Sequence, residues 1–364
     1  MTNKQPSRFA AIDALRGIAA LMVVWQHTSE SFVKLAGVAE HGTFLATISQ
    51  ELDFGRIGII CFFLISGFVI PSSLTATKNN VIGSFVIRRF FRLYPAYWLS
   101  LLLVVALAFV SGIETNGKTI LANTTMLQSF FAQPHLIGLY WTLQVELIFY
   151  CLCALLFYFG LLQNNRFVFM LIVVSFTLFA LPQTLTAVTD LQLEINKEFQ
   201  LLPYLLSIMF LGSFYRKIYD NKDTDRELFG YTVIATLLCL GLPLLLLIGS
   251  LSGFTMVSGS FRFGIAHSLA FGLFFAGLIF LKNVGKPLLW LGTISYSLYL
   301  LHPLVMQVLI KTVNNFKPLQ ELQLWIYMSV TTIFSIIIAS LAYKLVEKPA
   351  INLGYRLDGH KKTR

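Results

Sequence analysis

The chain has 364 residues, of which 56% are hydrophobic and 12% are charged, and its mean hydropathy is +0.73. This composition leaves too little polar surface to cover a soluble globule, and it predicts an all-α polytopic membrane protein. The net charge of +10 does not indicate nucleic-acid binding, because the basic residues cluster in short segments between apolar stretches.

Ten apolar stretches are long enough to cross a bilayer, so we expect about ten transmembrane helices. They cover residues 10–33, 54–74, 95–113, 137–160, 167–185, 199–215, 229–250, 260–281, 287–310 and 324–346. The loops between them are too short for a second folded domain, so we expect one integral-membrane domain over 1–364 without an appended soluble domain. Cys151 and Cys153 face apart on a helix, which argues against a metal site.

The distribution of basic residues predicts the orientation of the chain. Of the 27 Lys and Arg residues, 18 fall in six segments that lie on one side if the spans alternate in direction. These segments are 1–9, 75–94, 161–166, 216–228, 282–286 and 347–364. The positive-inside rule therefore predicts that both termini are cytoplasmic.

The first span carries Arg16 and His27. Eleven helical steps of ~100° return to within ~20° of the starting direction, so both side chains share one face. A charge in a bilayer costs roughly 2.5–3.5 kcal/mol, and such residues usually mark a pathway or an active site. His27 has the chemistry of a general base, the alternative being a packing histidine. Arg16 is either an interfacial anchor or a ligand contact.

Small and basic residues mark the second span and the segment before the third. Ser66 belongs to a Ser-Gly pair that favours close helix packing and is also a candidate for a substrate cavity. Arg88, Arg89 and Arg92 precede Pro95, which suits the first turn of a helix. The three guanidinium groups either anchor that helix or form a phosphate site.

Polar residues also occur within the fourth and ninth spans. Glu146 lies close to the predicted midplane, where a carboxylate is costly. We expect it either to orient His27 or to carry protons itself, the alternative being a structural salt bridge with another helix. Trp141 is a candidate cavity residue in the same span. Ser295, Tyr299 and His302 form a polar stripe on the ninth span, and this stripe is predicted to line a cavity.

Six motifs follow one another along nearly the whole chain. They are Arg16 with His27, Phe62-Phe-x-x-Ser66-Gly67-Phe68, Arg89-x-x-Arg92 before Tyr94-Pro95, Trp141-x-Leu-x-x-Glu146, Ser295-Tyr-Ser-Leu-Tyr299-x-x-His302 and Glu347-Lys-Pro349. In this order, and on ten spans, they resemble the membrane-bound acyltransferase family 3.

The resemblance implies an enzyme that transfers an acyl group, commonly acetyl from acetyl-CoA, to a hydroxyl of a surface or lipid-linked carbohydrate. It implies that His27 is the catalytic histidine and that Arg16, Arg89 and Arg92 serve the acyl-CoA, and we add Arg88 to this group. Acyl-CoA is then a co-substrate, no cofactor is bound permanently, and the location is the bacterial inner membrane.

Our hypothesis is that His27, supported by Glu146, deprotonates the acceptor hydroxyl for direct attack on the thioester. A relayed acyl-enzyme stays open as an alternative. The rival function is a proton-coupled transporter or exporter in which the same two residues relay protons. The sequence contains no internal repeat of the kind found in many transporters, which weighs against this rival. Acceptor identity and oligomeric state are not predicted.

Overall fold

The computed structural model describes residues 9–74, 80–189, 196–220, 225–253, 259–281 and 283–359. All regular elements in these ranges are helical, which confirms the predicted all-α class. The α-helices are α1 (Ala10–Phe32), α2 (Ala36–Leu52), α3 (Phe54–Val69), α4 (Val81–Val110), α5 (Gly117–Thr124), α6 (Tyr140–Tyr158), α7 (Asn165–Thr189), α8 (Lys197–Asp220), α9 (Arg226–Leu251), α10 (Ser260–Phe280), α11 (Lys286–Asn315), α12 (Leu324–Ala342) and α13 (Lys348–Leu357). A π-helical turn at Tyr343–Glu347 joins the last two.

Eight helical stretches in the described residues are long and apolar enough to cross a membrane. They include α3, α4, α6, α7, α9, α10, α11 and α12. Helices α1 and α8 occupy the predicted spans 10–33 and 199–215 but are not among the eight; α1 carries Asp13, Arg16 and Glu30, which lower its hydropathy. The membrane protein class is therefore supported, while the count of ten spans and the side on which each terminus lies stay predictions.

Helix α4 begins fourteen residues before the predicted third span. Its start is capped by Asn80, whose side-chain Oδ1 accepts a hydrogen bond from the Gly83 backbone N–H at 3.0 Å. Pro95 consequently lies inside the helix, so its predicted place in a first turn is wrong. Helices α2, α5 and α13 occupy segments that the apolar pattern left as loops or as the tail.

The chain forms two compact units. The first comprises residues 1–62 and 246–343, and the second comprises residues 63–245 and 344–364. The prediction of a single domain over 1–364 stays a prediction.

In the first unit, α1 and α11 pack backbone against backbone. A Cβ added at Gly17 would lie 2.9 Å from the Gly292 nitrogen, and one added at Gly292 would overlap the Asp13 carbonyl. Small residues permit this approach between helices in a membrane. Beyond the glycines, both helices contribute to one buried cluster, which contains Ala20, Val24, Ile294, Leu298 and Ala339. The contacts follow the same order along both sequences, from the glycines to the cluster, so α1 and α11 run in the same direction.

In the second unit, α3 and α8 cross at a pair of glycines. A Cβ added at Gly67 would overlap a backbone carbonyl of α8, and one added at Gly212 would lie 2.5 Å from a carbonyl oxygen of α3. The predicted close packing at the Ser66-Gly67 pair is therefore confirmed. Further along both helices, the rings of Phe68 and Tyr219 meet with their centroids 5.7 Å apart. The crossing thus places the turn Pro71–Ser73, which follows α3, beside the end of α8.

Candidate active site

His27 and His302 form a contact pair in the first unit. His27 Nδ1 lies 2.9 Å from His302 Nε2, and the two rings stack with their centroids 5.2 Å apart. Each histidine follows a contact glycine, Gly17 or Gly292, by ten residues on its own helix. The pair therefore follows from the parallel packing of α1 and α11. His302 is fully buried, whereas His27 is half-buried.

The hydrogen bonds around His302 assign the tautomer of both rings. His302 Nδ1 lies 3.1 Å from the Leu298 carbonyl oxygen, and because a carbonyl only accepts, this nitrogen carries the proton. In a neutral imidazole the other nitrogen is then an acceptor, so His302 Nε2 accepts from His27 Nδ1–H. His27 Nε2 is left with its lone pair. Within this network His27 has the form of a general base.

Two further predicted residues lie on α11 near this pair. Tyr299 presents its ring to Phe62 at 6.0 Å between centroids and to His302 at 6.2 Å. Ser295 is buried, and its hydroxyl donates to the Gly292 carbonyl of the preceding turn at 2.9 Å. Tyr299 therefore borders the histidine pair, while the Ser295 hydroxyl is engaged by its own helix.

Arg16 lies on α1 eleven positions before His27, at an axial separation of ~16 Å. Its side chain is half-buried. Because both residues belong to one continuous helix, their predicted shared face follows from the observed α1.

Glu146 is part of a hydrogen-bonded group in the second unit. Its Oε1 accepts from the Tyr150 hydroxyl at 2.5 Å and from the Ser66 hydroxyl at 3.4 Å. Trp141 lies in the first turn of the same helix, α6, and is half-buried. The structure thus brings Ser66 and Glu146 together, and the role of Glu146 beside His27 stays a prediction.

Two of the three arginines before Pro95 face buried carboxylates of the C-terminal segment. Arg88 Nε lies 3.6 Å from Asp358 Oδ2, and Arg92 Nη1 lies 3.6 Å from Glu347 Oε1. The two acidic side chains are 2% and 0% exposed. A buried carboxylate needs such a partner, so Arg88 and Arg92 hold the C-terminal segment against α4.

Arg89 has different surroundings. Within the described ranges no carboxylate pairs with it; Nη2 donates to the Ser73 hydroxyl at 3.2 Å. The guanidinium carbon lies 5.4 Å from the ring centroid of Phe85 and 5.3 Å from that of Tyr150. These rings support the cation and leave donors for an anion. Arg89 also lines a largely apolar groove of about 560 Å³ between α4 and α6.

A polar cluster in the second unit was not predicted from the sequence. His135 Nε2 lies 2.9 Å from Glu198 Oε2 and 3.0 Å from Ser129 Oγ, and the Ser129 hydroxyl donates to the same carboxylate at 2.8 Å. The amide of Gln128 donates to His135 Nδ1, so Nε2 carries the proton and cannot act as a base towards the serine. The cluster fixes the start of α8 and is not a nucleophile pair.

The pairing of His302 with His27 was also missed, although the sequence contains a signal for it. Both spans place a glycine ten residues before a histidine, at Gly17 and Gly292. Two spans that run in the same direction and touch at these glycines bring the histidines to one level.

Comparison with known proteins identifies the class. The acyltransferase 3 family model, which describes an acyltransferase domain, matches residues 9–344. The chain therefore belongs to this family, which confirms the resemblance and the predicted enzyme class. No solved structure matches.

Individual relatives share low sequence identity with the chain. The chain is 32% identical to "Protein 2 in picA locus" of Rhizobium radiobacter over 29% of its own length and 49% of that protein. It is 28% identical to "Nodulation protein 10" of Rhizobium leguminosarum bv. viciae over 38% and 41%. It is 23% identical to "O-acetyltransferase OatA" of Staphylococcus aureus over 96% and 58%. The chain thus spans about half the length of the curated relatives it matches.

Proposed function

We propose that the chain is an integral membrane O-acyltransferase that moves an acetyl group from acetyl-CoA to a hydroxyl of a cell-surface or lipid-linked carbohydrate. The observation that carries this proposal is the His27–His302 contact, because it leaves His27 Nε2 as an acceptor for a hydroxyl proton. Membership of the acyltransferase 3 family supplies the reaction class. The name of the O-acetyltransferase relative supports acetyl as the group and oxygen as the acceptor atom.

In the proposed reaction, His27 Nε2 takes the proton from the acceptor hydroxyl while its oxygen attacks the thioester carbonyl. The carbon–sulfur bond then breaks, and the CoA sulfur leaves with the proton returned from His27 Nε2. His302 accepts the Nδ1–H of His27 throughout, which orients the ring and stabilises the imidazolium. Glu146 is kept as a predicted second catalytic residue.

The donor is proposed to enter from the cytoplasm and the acceptor from the opposite side of the inner membrane. Arg89, which has no carboxylate partner in the described part of the chain, suits an anionic group of the acyl-CoA. Arg16 is also proposed to serve the acyl-CoA. With both termini predicted to be cytoplasmic, Arg16 near the start of α1 lies closer to the cytoplasm than His27 on the same helix.

The test is transfer of radiolabelled acetyl from acetyl-CoA to glycans in membranes that contain the native chain, His27→Ala, His302→Ala or His302→Gln at matched expression. We expect background labelling with His27→Ala. We expect a loss of about 100-fold with His302→Ala, in the range of general-base contributions. Partial recovery is expected with His302→Gln, because its amide oxygen can accept from His27 Nδ1–H.

His267→Ala is the matched control. His267 is a buried helical histidine whose Nδ1 also contacts a carbonyl one turn earlier, that of Phe263 at 2.6 Å. Its replacement therefore measures how much labelling is lost when a buried histidine outside the His27–His302 pair is removed. Native labelling with His27→Ala would overturn the proposal. Label that stays on the protein when acceptor is withheld would replace direct attack by an acyl-enzyme relay.

A further inference from the structure

A second cavity of about 320 Å³ lies in the second unit where α3 and α8 end. Its polar lining residues are Ser72, Gln163, Ser213, Arg216, Lys217 and Asp220. The segment 216–228, predicted to be cytoplasmic, begins at this cavity. The volume is at the lower end of the range for ligand pockets, about 300–1,000 Å³, so it suits a small polar group rather than a large ligand.

Lys217 is the unusual charge in this cavity. Its Nζ donates to the Asn165 side-chain oxygen at 2.7 Å and lies 5.9 Å from the Phe214 ring centroid. No carboxylate among the residues with described positions forms an ion pair with it. Burial lowers the pKa of Lys217 to about 8. An ammonium held in this way gains from a nearby anion.

Arg216 and Asp220 occupy the neighbouring wall and neutralise each other. Arg216 Nε lies 2.5 Å from Asp220 Oδ2, and its guanidinium carbon lies 5.3 Å from the Phe68 ring centroid. Among the described lining residues, two cations against one carboxylate leave one positive charge, which is that of Lys217. The cavity is therefore complementary to an anion.

The same three-residue turn connects this cavity with Arg89. In the turn Pro71–Ser73, Ser72 lines the cavity, and the hydroxyl of Ser73 accepts from Arg89 Nη2 at 3.2 Å. The cationic cavity and the arginine assigned to the donor therefore lie on either side of one short turn in the same unit.

We propose that this cavity binds the 3′-phosphate of the acyl-CoA donor, with Lys217 as the binding residue. The inference rests on the proposed function and adds a location for one part of the donor. A phosphate monoester carries a charge of about −1.5 to −2 at pH 7 and offers several acceptor oxygens, which matches a small cavity with one uncompensated ammonium.

The experiment measures binding of acetyl-CoA and 3′-dephospho-acetyl-CoA to the purified full chain at pH 7. We expect the native chain to prefer acetyl-CoA by about tenfold, which corresponds to about 1.4 kcal/mol. Lys217→Met should reduce the preference to about twofold or less. Asp220→Asn should increase the preference, because it removes the one carboxylate among the described lining residues. This expected gain distinguishes a binding effect from misfolding. Lys286→Met removes an exposed basic residue of the predicted cytoplasmic side and should behave as native.

The pH dependence supplies a second readout. Lys217 loses its charge as the pH rises through about 8, whereas the phosphate is already ionised above its second pKa of about 6. Binding of acetyl-CoA to the native chain should therefore weaken between pH 7 and pH 9. Lys217→Arg keeps its charge over this range and should bind with a flat profile.

The outcomes separate this inference from the proposed function. A native chain that binds neither compound would overturn the acyl-CoA proposal itself. A native chain that binds both equally, or a Lys217→Met variant that retains the preference, would overturn the cavity assignment and leave the acyl-CoA proposal standing. Competition by inorganic phosphate that is unchanged in Lys217→Met would also overturn it, because the phosphate site would then lie elsewhere.

Discussion

The α1–α11 contact and the α4–α13 contact differ in whether charges take part. The first brings backbones together at Gly17 and Gly292 and aligns two neutral histidines. The second also has a glycine contact, where a Cβ added at Gly354 would lie 2.8 Å from Phe91 Cβ, and it adds ion pairs between arginines of α4 and buried carboxylates at the two ends of α13. The position of the proposed base is thus set by backbone geometry, whereas the donor role proposed for Arg89 depends on the described carboxylates pairing with Arg88 and Arg92 instead.

The strongest way to break the first contact is Gly292→Ala. The added methyl overlaps the Asp13 carbonyl, and because backbone cannot rotate away, we expect a destabilisation of about 3 kcal/mol or more, at the upper end of overpacking costs. The His27–His302 contact is lost with it, so acetyl transfer should fall to background. Thermal unfolding in detergent and the transfer assay measure the two effects.

The control is Gly272→Ala, at a helical glycine of the same unit where an added Cβ meets nothing within 4 Å. It should be neutral or slightly stabilising, since alanine is the better helix former. If both variants behaved alike, close α1–α11 packing would not be what positions the histidines.

The second contact is tested by Glu347→Gln. Removing one partner of a buried ion pair usually costs about 3–5 kcal/mol; we expect about 2 kcal/mol, because Arg92 is 28% exposed and water compensates part of its lost partner. The double variant Arg92→Met, Glu347→Gln should be less destabilised than the sum of the two single variants. Additive changes in the free energy of unfolding would show that the pair carries no coupling.

Arg89→Lys and Arg88→Lys test which arginine is available for the donor. At Arg89 the loss of the planar guanidinium should raise the KM for acetyl-CoA by about tenfold, the effect of one charge-assisted hydrogen bond. At Arg88 a lysine can still pair with Asp358, so the KM should change by about twofold or less. Equal KM values in the two variants would remove the distinction drawn from their partners.

The smallest effect is expected for a surface ion pair. Arg166 and Glu227 contact each other at 3.2 Å, but their side chains are 75% and 50% exposed. Water and salt screen such a pair, so Arg166→Gln should change the Tm by about 1 °C or less. A larger fall would mean that exposed pairs stabilise this protein as the buried ones do.

Hydropathy was sufficient to predict a helix at each of the ten spans, because a long apolar stretch in a membrane has few alternatives to a helix. Hydropathy failed where polar residues are helical. Helix α4 begins at Val81 because Asn80 caps it and because its arginines form ion pairs with buried carboxylates. Neither feature changes the hydropathy of the segment. Helices α2 and α13 were also missed, because their polar residues interrupt any long apolar stretch.

At the site, residue chemistry indicated His27 and Glu146 from their cost in a membrane, and Arg89 from the suitability of clustered guanidinium groups for phosphate. It did not indicate which groups they contact, since pairings such as His27 with His302 join residues that are 275 positions apart. Ser295 shows the limit of a polar pattern, because its hydroxyl bonds to its own helix. A stripe of polar residues does not distinguish a cavity lining from packing.

The hydrogen bond between His302 and the Leu298 carbonyl prevents the histidine pair from passing a proton on to a further group. When His27 Nε2 takes up a proton, the ring nitrogen on its other side, Nδ1, still faces His302. The hydrogen on His302 Nδ1 is donated to the backbone carbonyl of Leu298. His302 Nε2 can take a proton from His27 Nδ1, but His302 Nδ1–H faces a backbone carbonyl, which is not a base, so transfer stops there and the proton leaves again through His27 Nε2. The pair is therefore suited to storing one proton for the duration of a reaction cycle and unsuited to conducting protons across a membrane, which sets it apart from the relay that a proton-coupled transporter needs.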